Sequence, residues 1–172
     1  MAVSDRGLKW LFRINKIYTL ERDFVWHSGH SIGDDHLVFE DKKKKLRMII
    51  STEGIITIKE HYTWDGCTPK ISFFDLFIIG TPDGILHRET GKPKTYFASL
   101  VHDALYQFLP DMPDKNIITR RDADDLFRRL LIEYEFAPNW VYWAAVRLFG
   151  GILMQARRSI TRNTRGTVRR LE

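Results

Sequence analysis

His102, Asp103, Tyr106 and Asp124 are the residues of this 172-residue chain whose types and spacing suit chemistry. A neutral imidazole takes up a proton near pH 7 and can act as a general base. Tyr106 lies four residues after His102, so a helix places both on one face, and Asp103 projects about 100° further round. Asp124 precedes Phe127 by three residues and Leu131 by seven, at the border of an apolar stripe. A carboxylate there needs a partner, because burying it alone is costly. His102 can supply that partner. The same pair also reads as a satisfied structural contact, with Asp122 a helix N-terminal carboxylate and Asp125 a solvent-facing one. Upstream, Trp64-Asp65-Gly66-Cys67-Thr68-Pro69 adds an acid and the sole cysteine. Cys67 with His102 also reads as a thiol nucleophile and its base.

The elements that must position these groups are legible in the pattern. Phe97, Leu100, Val101, Ala104, Leu105 and Phe108 recur at helical spacing from Thr95 to about Leu109 and cover more than one face, which predicts a central helix. Pro110 and Pro113 end it. Thr119-x-x-Asp122 resembles a capping box and starts a second helix with the stripe Ala123, Leu126, Phe127, Leu130, Leu131 and Tyr134. A connection of about ten residues lets the two helices pack antiparallel, bringing His102 towards Asp124. Pro138 opens a third helix through Trp140, Tyr142, Trp143, Val146 and Leu148. Before them, Asp23–His27, His36–Glu40, Leu46–Ile50 and Ile55–Tyr62 read as strands, with Ser51-Thr52-Glu53-Gly54 as a turn. Lys42–Lys45 reads as a solvated charge run at a strand edge. Residues 63–94 hold a density of Gly and Pro that means loop, around the apolar stretch Ile71–Ile79.

Lys and Arg number 27 against 22 Asp and Glu, a net charge of +5, which suits an anionic partner surface without choosing one. With one Cys no internal disulfide forms, which predicts a reducing compartment. The charged N-terminus lacks a signal-peptide core, and no run of about 18 apolar residues predicts a membrane span. Six Arg between 157 and 170 make a basic tail. With Trp140, Trp143 and Arg147 it reads either as an anchor on anionic lipid or as a core-packing helix followed by a solvated tail. No nucleic-acid fold signature accompanies it, so no sequence-specific nucleic-acid partner is expected.

Asp65-Gly66-Cys67-Thr68, His102-Asp103-Ala104-Leu105-Tyr106 and Asp124-Asp125-Leu126-Phe127 resemble, in order, the D-G-C-S, H-D-x-x-Y and D-x-x-F motifs of the phospholipase A2 superfamily. That resemblance spans about residues 65–131. Over roughly 15–150 the chain also resembles the phage and bacterial domain of unknown function 1353 family. The phospholipase resemblance implies His102 as the general base, Asp124 as the carboxylate that orients it, and Tyr106 as a hydrogen-bond donor to Asp124. It implies Ca²⁺ held by Asp65 and Asp103 with backbone carbonyls near Gly66 and Cys67. The disulfides of secreted phospholipases have no counterpart here. The His-Asp pair also resembles that of metal-dependent phosphohydrolases, but those need further His ligands and residues 103–172 hold none.

Together these readings predict one α+β domain over 1–156, with an N-terminal β-hairpin or small antiparallel sheet and a phospholipase A2-like helical core of two antiparallel helices. A flexible basic tail over 157–172 follows. The expected activity is Ca²⁺-dependent hydrolysis of a lipid ester, retained or altered, by a phage-encoded, cytoplasmic protein in peripheral contact with an anionic phospholipid membrane. The alternative is a non-enzymatic phage protein whose His-Asp cluster organises the core and whose basic surface binds a partner.

Overall fold

Two turns with specific chemistry order the sheet. In the computed structural model, which describes residues 18–31, 36–64, 66, 85–112, 114, 117–148 and 167–171, β3 (His36–Glu40) and β4 (Leu46–Ile50) are joined through Asp41. Asp41 Oδ1 accepts from the backbone N–H groups of Lys43 (2.8 Å) and Lys45 (3.1 Å), and its other oxygen pairs with Arg47 at 2.6 Å. The lysine run is therefore the tip of a hairpin. Strand β4 turns into β5 (Ile55–Ile58) over Ser51–Gly54, where Gly54 takes φ +79°. A Cβ there would stand 2.5 Å from the His30 carbonyl oxygen, so the turn requires glycine.

Strand β2 (Phe24–His27) pairs with β5, and with β7 (Thr167–Leu171) the strand order is β2-β5-β4-β3-β7, antiparallel throughout. Register aligns Phe24, Ile58, Met48, Phe39 and Val168 across the five strands, with Trp26, Ile56, Ile50 and Leu37 in the next row. These rows are the apolar floor of the core. A second ladder pairs β1 (Tyr18–Thr19) with β6 (Thr63–Trp64). Two antiparallel sheets thus stand where a hairpin or small sheet was expected.

The helices lie on that floor. α1 (Tyr96–Phe108) buries Ala98, Leu100, Val101, Ala104, Leu105 and Phe108 completely, as a central helix must. Phe108 meets Phe39 with ring centroids 5.3 Å apart, and Phe97 stacks on Phe24 at 4.5 Å. Trp64 fixes the start of α1 by donating from Nε1 to Ser99 Oγ at 3.1 Å. Thr95 stands at the N-cap of α1 but does not cap it. Its backbone is already helical (φ −89°, ψ −4°), whereas a capping residue is extended, and its hydroxyl is buried with no partner among the described residues.

α2 (Arg120–Glu133) is capped as its sequence predicts. Thr119 is extended (ψ 167°) and its hydroxyl accepts from Asp122 N, while Asp122 accepts from Thr119 N at 2.7 Å. Phe97 near the start of α1 lies 5.2 Å from Tyr134 at the end of α2, and Tyr106 near the end of α1 meets Arg120 at the start of α2. The two helices are therefore antiparallel. A third helix, α3, covers residues 139–148. No helix among the described residues is long and apolar enough to cross a membrane.

Residues 167–171 of the basic segment form strand β7 (Thr167–Leu171) rather than a flexible tail. Pairing with β3 supplies its backbone partners, Val168 packs against the core, and Arg169 forms an ion pair with Glu40. The rest of that segment from 157, and the apolar stretch 71–79, lie outside the described residues.

Candidate functional site

The antiparallel pairing of α1 and α2 brings a ring and a carboxylate together in the interior. His102, on the second turn of α1, places Nε2 3.1 Å from Asp124 Oδ1. Asp124, fully buried on the first turns of α2, also accepts from the Tyr106 hydroxyl at 2.5 Å on the same oxygen. The His102 ring lies between Tyr106 and Phe127, with centroids 4.1 and 5.0 Å away. A carboxylate only accepts, so the Nε2 nitrogen carries the hydrogen and, in the neutral ring, Nδ1 carries the lone pair. Asp103 Oδ1 stands 4.0 Å from that Nδ1.

Two arginines complete the cluster, and neither was among the sequence candidates for it. Arg147, from α3, donates from Nη1 to Asp124 Oδ2 at 3.1 Å. Arg120 Nε lies 3.8 Å from Asp124 Oδ2 and donates to the Tyr106 oxygen at 3.2 Å. Arg120 also donates to the carbonyl oxygens of Val146 and Arg147, so α3 ends on the cluster. Nothing local in the sequence marks this convergence, because it joins the ends of two helices. The rest of α3 is mixed in character. Trp143 donates from Nε1 to Asp125 Oδ1 at 2.8 Å, and Tyr142 packs against Phe136, whereas Trp140 and Leu148 are exposed. Asp125, read as solvent-facing, is thus the acceptor for Trp143 and pairs with Arg121.

The electrostatics follow from the contacts. Burial alone would raise the Asp124 carboxyl, but hydrogen bonds from His102 and Tyr106, the attraction of His102 and the Arg147 hydrogen bond outweigh it and hold the group below the usual carboxylate range. Burial, then the Asp124 carboxylate as acceptor and as a negative charge, pushes the Tyr106 hydroxyl well up. Asp124 is therefore a fixed anion and Tyr106 a fixed donor across the neutral range.

Of the residues expected around a cation, Asp65 and Cys67 lie outside the described residues. Gly66 takes φ +70°. Asp103 is largely buried, with a hard oxygen donor beside the imidazole. Among the described residues no group of three His, Cys, Asp or Glu gathers to hold a metal.

Fold and site together define an α+β protein with a buried His-Asp-Tyr cluster between antiparallel helices, closed by two arginines. Residues 85–146 match a family model described as a protein of unknown function (DUF1353), which covers α1, α2 and most of α3, and so all the described members of this cluster except Arg147. No curated protein and no solved structure matches the chain.

Proposed function

We propose that the chain is a hydrolase of lipid esters that uses His102 as general base and Asp124 as the residue that positions it, in the manner of the phospholipase A2 superfamily. The observation that supports this reading is the contact of His102 Nε2 with the buried Asp124 carboxylate at 3.1 Å, which favours a proton on Nε2 and leaves Nδ1 as the candidate base. Nδ1 takes a proton from water, the water oxygen bonds to the acyl carbon, and the bond to the alkoxide breaks as the proton passes to the leaving oxygen. Tyr106 holds Asp124 in place and keeps its charge on the ring side. Calcium, with Asp103, Asp65 and carbonyls near Gly66 and Cys67 as the residues to hold it, would supply polarisation of the ester carbonyl. The net charge of +5 and exposed Trp140 favour an anionic phospholipid surface as the place of action. A phage source and a cytoplasmic, peripheral location belong to the same proposal.

The test is hydrolysis of a short-chain phospholipid in Ca²⁺ by the wild-type chain and His102→Ala. Asp124 keeps Tyr106 and Arg147 in that variant, so it should fold. Activity should fall by about 10²–10⁴-fold, the usual worth of a positioned base. Equal activity in the two proteins would exclude the mechanism.

A second reading rests on one specific observation. Asp124 takes contacts from residues on all three helices, which also suits a purely structural staple in a non-enzymatic protein. An absence of hydrolysis by the wild-type chain, with loss of stability on removing Asp124, would favour it.

A further inference from the structure

Arg120 and Arg147 together bring two positive charges to one carboxylate. Asp124 Oδ2 lies 3.1 Å from Arg147 Nη1 and 3.8 Å from Arg120 Nε, and no other carboxylate pairs with either arginine among the described residues. One guanidinium is enough to neutralise Asp124, whose Oδ1 is already satisfied by His102 and Tyr106. The second leaves an excess positive charge at the end of α3. Both side chains are about one-third exposed, 32% for Arg120 and 34% for Arg147, so solvent reaches the pair while it does not reach Asp124. Their polar capacity is also only partly spent. Arg147 uses Nη1 on Asp124, and Arg120 uses Nε on Tyr106 and Nη2 on the carbonyls of Val146 and Arg147. Arg147 Nε and Nη2 and Arg120 Nη1 have no protein acceptor among the described residues. Like charges held this close are costly unless a second anion joins them. Planar guanidinium donors match the oxygens of a phosphate group, which can accept from both side chains at once.

We propose that Arg120 and Arg147 form a binding site for a phosphate group at the Oδ2 side of Asp124. As a site for the anionic headgroup of the substrate it rests on the hydrolase reading; as a phosphate site it does not. The test is a calorimetric titration of the full chain with inorganic phosphate and, separately, with glycerophosphoglycerol, at matched ionic strength. Wild type should bind, and Arg120→Gln and Arg147→Gln should each bind about tenfold more weakly or worse, as expected for loss of a hydrogen bond to a charged group. Arg147→Lys keeps a charge beside Asp124 should the glutamine variant fail to fold, and it should bind with intermediate affinity because the fork is lost. Tighter binding of glycerophosphoglycerol would identify a lipid headgroup as the source of the phosphate, and tighter binding of inorganic phosphate a free phosphate. Wild type that binds neither probe, or arginine variants that bind as well as wild type, would overturn the site. The two readings separate cleanly: hydrolysis without phosphate binding removes only the site, and phosphate binding without hydrolysis removes only the hydrolase.

Discussion

Tyr106 and His102 share one oxygen of Asp124: the tyrosine hydroxyl donates to Oδ1 at 2.5 Å and the imidazole Nε2 lies 3.1 Å from it. The pair stands one helical turn apart on α1, so a single helix face presents both donors to a carboxylate on its neighbour. The opposite oxygen is left to the arginines. This division keeps the imidazole and the guanidiniums from competing for one acceptor.

Removing the charge of Asp124 should be costly. Asp124→Asn weakens the buried hydrogen bonds with His102 and Tyr106 and leaves the partly exposed Arg120 and Arg147 without an anion, a loss of about 1–3 kcal/mol. The pH dependence has a definite sign. The folded carboxyl lies below its unfolded value of about 3.9. The stability it contributes is therefore present above about pH 4 and lost as pH falls through the folded pKa. Urea denaturation from pH 7 down to pH 2 should show the gap between wild type and variant closing below pH 4. A gap constant across that range would refute the assignment.

Tyr106→Phe removes one donor without changing the ring. Its cost should be about 1–3 kcal/mol at pH 7. The folded hydroxyl is raised, so its contribution is complete below the unfolded value of about 10 and fades as pH climbs towards the folded one. Tyr96 and Tyr134 are also raised, chiefly by burial, so the informative quantity is the difference between wild type and variant. That difference should narrow above pH 10 in denaturant melts, and parallel curves would count against the buried hydrogen bond.

Calcium should stabilise the chain if Asp65 and Asp103 share it. At a hundredfold excess over the dissociation constant the gain is about 2.7 kcal/mol, or roughly 5–10 °C in Tm for a protein of this size. The Asp65→Asn, Asp103→Asn double variant should show no shift. Identical melts for the two proteins with and without Ca²⁺ would eliminate the metal.

Two glycines separate strain from collision. Gly54 and Gly91 both have positive φ, +79° and +63°, but only at Gly54 does a Cβ meet backbone, whereas Gly91 has nothing within 4 Å. Gly91→Ala should cost about 1 kcal/mol from the left-handed conformation alone. Gly54→Ala should cost more than about 2 kcal/mol, since the His30 backbone must also shift. Equal losses in thermal melts would mean that the β4–β5 turn relaxes freely.

Elements governed by local pattern were legible. β3 and β4 follow their apolar runs to the residue, and α2 begins where Thr119 and Asp122 satisfy each other. The meeting of His102 with Asp124 was legible because helix periodicity and one short connection constrain it. Strand β7 was not, because Arg169 and Arg170 read as solvated charge and only β3 gives the segment a partner. The two-residue ladder of β1 with β6 is too short to show a period. Thr95 shows the limit of composition: the right residue stands at the helix start, but its backbone angles deny it the capping role. Arg120 and Arg147 escaped because residues far apart in sequence acquire a shared acceptor only after three helices have packed.

The ion pair of Glu40 with Arg169 joins residues 129 positions apart. On a ribosome, β3 emerges long before the strand that covers its outer edge. Throughout that interval its amide and carbonyl groups on that side can pair with any extended chain nearby. Newly made copies of this protein are thus open to clumping at β3 until β7 pairs with it, and substitutions that delay or weaken β7 should reduce yield before they alter any property of the finished molecule.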